Sequence, residues 1–346
     1  MLEVDGARGS GSGTIVRLAV SLAALLGEPL HLFHIRAKRD KPGLRPQHLR
    51  AVQGVAQLVG GRLEGAEVGS EELRFYPSGR ITAGEYSFDI GTAGSTTMLA
   101  FTLLPVAAFA PGPCTFEIRG GLFQDFAPSA FHMQHVLLPA LRRMGLEAEL
   151  EIVRPGYVPK GGGIIRLSVK PSGDPLSPFL REELHGELRF WGIALSSKLR
   201  KRKVSERMAK RCQAVLKRRG IWADFSILHD ETAVQPGAAL ALFAEDADGC
   251  VLGADRAGAP GRPAEEIGET VAKMLLEDLD AGGTVDRYLA DQLVPFAALA
   301  AGESRYRIPF PTDHVETNLW LVRDILGAEA RLEGNLLVVR GIGYAP

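Results

Sequence analysis

Three groups of residues in this chain could do chemistry: a histidine at the start of a helix, a cationic loop and a run of glycines. Thr312-Asp313-His314-Val315-Glu316-Thr317-Asn318 opens a helical pattern near the C-terminus, with Thr312 or Asp313 placed to cap it. A first-turn histidine lies beside free backbone N–H groups, where the helix dipole favours its neutral form. A neutral imidazole is a competent nucleophile toward phosphorus; the plainer alternative is an exposed helix-start histidine. From Ile35 to His48, five cations (Arg36, Lys38, Arg39, Lys41 and Arg45) surround one carboxylate, Asp40, and Pro42-Gly43 force a turn. Guanidinium forks match phosphate geometry, so this loop is either a polyanion site or a solvated connection. Gly9-Ser10-Gly11-Ser12-Gly13 stands directly before an apolar helix. Such a loop lets the backbone approach a phosphate, or it is a flexible link ending in a serine cap. Arg17, one turn into that helix among Ile15, Val16, Leu18 and Ala19, either reaches solvent or faces an anion.

Four further features carry weaker signals. Gly91-Thr92-Ala93-Gly94-Ser95 repeats the glycine device before a second apolar helix. Asp291 and Gln292, in Tyr288-Leu289-Ala290-Asp291-Gln292, stand at a helix start, where they could bond a ribose or a metal, or simply cap and solvate it. His132 and His135 have metal-ligand spacing on a helix, yet no third ligand is evident, so they read as surface histidines. A helix rich in Lys and Arg between Lys198 and Arg219 is dense enough to raise nucleic acid as a partner through phosphate contacts, against the alternative of a solvated face.

The elements that must position these residues follow from the apolar patterning. The chain has 346 residues, 46% hydrophobic and 23% charged, with a formal net charge of -1. That is globular material in more than one module, and any polyanion site on it must be a local patch. Cys114, Cys212 and Cys250 are odd in number and widely spaced, which argues against a disulfide framework or structural zinc. With no signal-peptide pattern at the N-terminus, they predict a cytoplasmic protein. The longest apolar stretch, Met98 to Pro111, is too short to span a membrane and reads as a buried helix. Three segments share a similar order of elements: the first two read strand, glycine turn, helix, strand, helix, strand pair, and the third reads helix, strand, helix, strand pair. The first covers Leu2 to Tyr76, the second Tyr86 to Val169, and the third contains Tyr288 to Ala300, Arg305 to Pro309 and His314 to Val339. A βαβαββ unit used three times explains this spacing. Between the second and third, Glu183 to Ala281 reads as an inserted α/β domain. The expected organisation is therefore a large α/β domain of three βαβαββ repeats, residues 1–182 and 282–346, with a small α/β domain over 183–281.

These segments together resemble the RNA 3'-terminal phosphate cyclases. The resemblance rests on Asp5-Gly6 with the glycine loop through Arg17, Ile35 through Leu44, Gln47-His48-Leu49, Ile90 through Ser95, Tyr157 to Gly163, Tyr288 to Leu293, and His314 with Thr317-Asn318. It spans nearly the whole chain, with the insert matching least. It implies three βαβαββ repeats plus an inserted domain, ATP and a divalent metal (magnesium or manganese), and RNA 3'-phosphate ends as partners. The implied reaction makes a covalent histidine–AMP, passes AMP to the RNA 3'-phosphate and closes a 2',3'-cyclic phosphate. On this resemblance His314 is the nucleophile, and Arg17, Arg36 and Arg39 clamp phosphates. Gln47 and His48 orient the RNA end or the nucleotide, Asp291 and Gln292 hold the ribose, and Tyr288 lies against the base. The chain departs from the family at Ser10, where the family usually carries a glutamate thought to sit near the nucleophile and the metal. Asp125 is the residue that could compensate. Two rival readings are a non-catalytic RNA-processing relative, favoured by Ser10, and an enolpyruvyl transferase, which shares the repeat architecture but needs no nucleophilic histidine.

Overall fold

A computed structural model describes residues 1–345. Three four-stranded sheets repeat one plan. The first unit comprises β1 (Leu2–Asp5), α1 (Gly13–Leu26), β2 (Leu30–Phe33), α2 (Pro46–Leu58), β3 (Arg62–Glu64) and β4 (Leu73–Tyr76). The second comprises β5 (Gly84–Asp89), α3 (Thr96–Ala107), β6 (Cys114–Gly120), a helical run over 130–143, β7 (Ala148–Arg154) and β8 (Gly163–Val169). That helical run is α4 (Ala130–His132), a π turn (Met133–Leu137) and α5 (Leu138–Arg143). In both sheets the strands lie in the order first, second, fourth, third. The first two are parallel and the remaining pairs antiparallel.

The third sheet shows the same order, but its first strand is β9, only Leu180–Arg181. The chain then leaves for a fourth sheet before returning. That excursion contains β10 (Arg189–Ser197), a 3-10 turn (Arg200–Arg202), α6 (Val204–Lys217), β11 (Ala223–Asp230), β12 (Gly237–Glu245), β13 (Val251–Ala257) and α7 (Ala264–Asp280). The third unit resumes with α8 (Leu289–Gln292), α9 (Val294–Leu299), β14 (Glu303–Arg307), α10 (Asp313–Leu326), β15 (Glu329–Glu333) and β16 (Leu336–Arg340). β9 pairs parallel with β14 through Arg305↔Leu180 and Tyr306↔Arg181. A two-residue strand offers no alternation to read, so sequence patterning leaves the opening of the third unit blank. The fourth strand of the inserted sheet, β13, also escapes that patterning.

The helices form where the sequence marks them. Ser12, Ser95 and Thr312 cap α1, α3 and α10, each side chain accepting from an N–H two or three residues on. Gly27 and Gly327 end α1 and α10 in the left-handed conformation. α1 and α3 are both buried on nearly every side. They pack on each other, with α2 against both and α10 against α1. The resulting core runs through all three units and reaches one face of the inserted sheet at Ile193, Leu195, Ala241 and Phe243. The opposite face of that sheet makes a second core with α6 and α7, around Met208, Cys212, Leu242 and Val271. All three cysteines are buried free thiols. No helix among the described residues is long and apolar enough to cross a membrane.

Candidate active site

The helix starts of the first and third units face one cavity of about 430 Å³. Nine residues singled out from the sequence line it together. Arg17, Arg36, Arg39, Gln47 and His48 come from the first unit, and Tyr288, Asp291, Gln292 and His314 from the third. They are separated by up to 297 positions (314 − 17) and converge because α1 packs on α10.

His314 stands in the first turn of α10, at the exposed lip of this cavity. Desolvation of its ring, then the charges of Arg17 and Arg39, hold its pKa below the usual 6.5, so it is neutral at pH 7. Its Nδ1 lies 3.2 Å from Thr14 Oγ1. The same hydroxyl oxygen accepts from Arg17 Nη2 at 3.3 Å. Thr14 is a contact that the sequence reading missed. Its signal was its place, directly behind the glycine loop and one turn before Arg17.

Arg17 is the single cation on an otherwise apolar helix. Burial lowers its pKa to about 10, partly opposed by Asp291, so the guanidinium remains charged at neutral pH. Burial also drives Asp291 up to about 7, with Arg17 pulling the other way. Arg36 adopts a left-handed backbone, and its Nη1 donates to the carbonyls of Lys41 (2.7 Å) and Gly43 (2.9 Å). It therefore braces the cationic loop while its charge faces the cavity. Lys38 and Arg39 reach across to the carbonyls of Gly9 and Ser10, both at 3.5 Å. The cationic loop and the glycine loop thus form one wall.

The glycines of that wall are needed for contact as well as for turning. A Cβ on Gly13 would lie 2.1 Å from His48 Nε2, and one on Gly9 2.5 Å from Thr317 Oγ1. Ser10 N donates to that same Thr317 hydroxyl at 2.9 Å, tying the loop to α10. His48 is buried, and its Nδ1 accepts from Arg45 N at 3.3 Å. Desolvation, reinforced by Arg17, Arg36 and Arg45, pushes its pKa well below 6.5. It is therefore neutral, with its proton on Nε2. Gln47 Oε1 accepts from Ser95 N at 3.0 Å and so locks α2 to the second glycine loop. None of Gly91 to Ser95 lines the cavity; α3 contributes Met98, Phe101 and Thr102 instead.

Across the cavity, Asp286 organises α8. Its carboxylate accepts from Tyr288 N and Leu289 N, both at 2.9 Å, from Gly253 N at 2.8 Å, and from His132 Nε2 at 3.0 Å. His132 is therefore not a surface histidine. It is fully buried, with Tyr288 edge-on at 5.5 Å. Burial alone would lower its pKa, but the charge and hydrogen bond of Asp286 win and raise it. His135 is half-buried against Trp191 and Phe243. The helical spacing predicted two exposed rings, whereas Asp286 and Tyr288 cover His132, and Trp191 and Phe243 of the inserted sheet pack against His135.

Asp125 is also placed otherwise than as a substitute for a missing carboxylate. It forms a two-pronged pair with Arg262 at 3.0 and 2.7 Å and does not line the cavity. Among the described residues no group of three His, Cys, Asp or Glu could hold a metal ion. Asp291 is the lone carboxylate of the cavity wall. The side chains present therefore do not build a protein cage for a divalent cation. They do suit an organic polyanion. Three guanidiniums face one side, and the buried Gln292 and Asn318 each leave a side-chain oxygen without a partner. The volume is that of a small-molecule site.

Three repeated βαβαββ units, an interrupting α/β layer and a cationic cavity with a neutral histidine at its lip define an α/β protein with one candidate site between its first and third units. The family model for the RNA 3'-terminal phosphate cyclases matches residues 8–332, and the chain belongs to that family. A relative from Hyperthermus butylicus named RNA 3'-terminal phosphate cyclase is 41% identical, over 100% of this chain and 99% of its own. Relatives of the same name from Methanopyrus kandleri (38% identical, 96% of each chain) and Pyrococcus furiosus (37%, 97% of this chain and 96% of its own) align nearly as completely.

Proposed function

We propose that this chain is an ATP-dependent RNA 3'-terminal phosphate cyclase working through a covalent His314–AMP. The observation that carries the proposal is the pairing of a neutral His314 with Arg17 through one shared hydroxyl, Thr14 Oγ1. With Nδ1–H donating to Thr14, Nε2 holds the lone pair. Nε2 attacks the α-phosphorus of ATP, the bond to the pyrophosphate oxygen breaks, and the ring becomes a phosphoramidate still protonated on Nδ1. Arg17, Arg36 and Arg39 offset the negative charge that builds on the phosphoryl oxygens. An oxygen of the RNA 3'-phosphate then attacks the same phosphorus, displaces the imidazole and takes AMP. The neighbouring 2'-hydroxyl attacks the activated 3'-phosphorus, losing its proton, and AMP leaves.

Tyr288, Asp291 and Gln292 would hold the nucleoside. The unpartnered Gln292 Oε1 and Asn318 Oδ1 offer acceptors to ribose hydroxyls or to an amine of the base. Gln47 and His48 would orient the nucleotide or the RNA end from the opposite wall. A divalent ion would arrive on the phosphates of the nucleotide, because the wall supplies too few ligands.

The test is incubation with α-labelled ATP, followed by denaturing electrophoresis. An acid-labile, alkali-stable labelled band is expected for the wild-type chain. No band is expected for His314→Ala, which should lose under about 1 kcal/mol of stability, since an exposed first-turn side chain packs little. Full labelling of His314→Ala would refute the assignment. A wild-type chain that never labels would favour a non-catalytic RNA-processing relative, the reading to which Ser10 and the engaged Asp125 lend weight.

A further inference from the structure

A second cavity, of about 380 Å³, opens where the inserted layer meets the second unit. Its walls are largely apolar, with Pro159 from the β7–β8 hairpin facing Pro236 and Pro260. Arg202, Arg207 and Arg262 also line it. Two of these are neutralised: Arg207 by Glu265, with both bonds at 2.7 Å, and Arg262 by Asp125. Further along α6, Arg211 and Arg219 are likewise held by Glu269 and Asp280 of α7 and its end. An acidic neighbour therefore balances three cations of the basic helix and its end, Arg207, Arg211 and Arg219, while Lys210, Lys217 and Arg218 stay exposed without an acidic partner among the described residues.

The densest run of unbalanced charge lies in the turn that leads into the helix. Lys198, Arg200, Lys201, Arg202 and Lys203 are all exposed. Among the described residues none of them has an acidic partner. Lys198 and Lys203, at the two ends of this turn, both take left-handed backbones (φ 57° and 49°) that lysine rarely adopts. Five like charges side by side repel one another, and a polyanion would relieve that repulsion.

A short stretch of chain links the two cavities. Asp125, anchored by Arg262 of the second cavity, is followed by Phe126, which lines the first. Phe126 is fully exposed (109%) with a left-handed backbone of φ 65°. An aromatic ring held in water on a costly backbone at the rim of a phosphate cavity has no packing purpose here. It has the form of a stacking platform, since every base presents a π-face.

We propose that an RNA strand, its 3'-phosphate in the first cavity, stacks a base on Phe126. Its upstream backbone then lies along the Lys198–Lys203 turn, with Arg202 taking a phosphate at the mouth of the second cavity. This rests on the cyclase reading for the direction of the strand. The apolar wall of Pro159, Pro236 and Pro260 accepts a base or sugar without reading its identity, so the track is indifferent to sequence.

The experiment measures equilibrium affinity by fluorescence anisotropy for two labelled 3'-phosphorylated RNAs, a dinucleotide and one of about ten nucleotides. Arg202→Glu should weaken the longer RNA about tenfold, flatten its salt dependence by about one unit of log–log slope, and leave the dinucleotide unchanged. Phe126→Ala should weaken the longer RNA about five- to tenfold, and Phe126→Trp should restore it. Equal loss for both lengths from Arg202→Glu, or no loss of the longer RNA from either variant, would overturn the proposal. So would competition by polyglutamate as strong as that by RNA, which would make the turn a general polyanion patch. The labelling of His314 with ATP is scored separately. Labelling without the length-dependent loss refutes the track alone, and absent labelling with the length-dependent loss refutes the catalytic reading alone.

Discussion

At the scale of single residues, the site is governed by how burial sets protonation. His314 and His48 are both held neutral by desolvation and by neighbouring guanidiniums, while Asp291 is pushed up to about 7. The sign of the Asp291 effect is definite. Its folded pKa exceeds the usual 3.8, so the native state binds more protons than the unfolded chain between pH 4 and 7. Stability from this residue is therefore complete below the unfolded value and is lost as pH rises through about 7. Asp291→Asn carries no charge to bury. Thermal melts of the ligand-free protein should show it gaining over wild type at pH 8 and matching wild type at pH 5. A gain that is equal at both pH values would mean that the carboxyl is not the titrating group. That Arg17, Arg36 and Arg39 are candidates for phosphate contact was legible from their chemistry, and the fold brings them to one cavity. Thr14 was not, because a threonine after glycines carries no mark of the histidine 300 positions away.

At the scale of elements, short pieces of structure depend on distant partners. α8 has four residues and could not persist alone. Asp286 caps it, Tyr306 Oη donates to Ala290 O at 3.2 Å, and Asn318 Nδ2 donates to Asp291 O at 2.9 Å. Asp286→Ala would strand three backbone N–H groups and leave His132 without its counter-charge. It should cost about 3 kcal/mol or more in denaturant unfolding. Protection by ATP against proteolysis should fall with it, since Tyr288, Asp291 and Gln292 ride on this helix. A loss below about 1 kcal/mol would show that solvent takes over the cap. The sequence displayed the apolar run from Tyr288 to Ala300 as one helix, and the structure breaks it into α8 and α9. Pro295 lies in the first turn of α9, where its missing N–H costs nothing, so a new helix starts there.

For the molecule as a whole, the inserted layer shares the main core with the repeated units and is pinned to them by specific close contacts. Tyr157, fully buried, bonds Ser197 Oγ at 2.8 Å and lies flat against Gly237. A Cβ on Gly237 would stand 2.2 Å from that ring. Gly237→Ala should destabilise the chain by about 1–3 kcal/mol, the usual range for overpacking. Faster protease cutting at residues 182–188, where the chain crosses to the inserted layer, should accompany it. Unchanged cutting would mean that the two parts stay joined through Asp125–Arg262 and Asp286–Gly253 instead. The same fastening brings the basic turn beside the cavity, so loosening it should weaken long RNA more than ATP.

The sequence by itself determined the local devices. Serine and threonine caps, glycine turns, apolar helices and the repeated order of elements are all written in neighbouring residues, because capping, left-handed turns and amphipathic burial act over a few positions. The family resemblance was likewise carried by short motifs. Tertiary structure alone decided which devices meet. It set α1 against α10, so that Arg17 and His314 share Thr14. It buried His132 on Asp286, spent Asp125 on Arg262, paired Arg207, Arg211 and Arg219 with acids of α7 and left the densest run of free charge in one turn. Those outcomes depend on packing between segments hundreds of residues apart, where distance in space rather than in sequence sets desolvation and Coulomb energy.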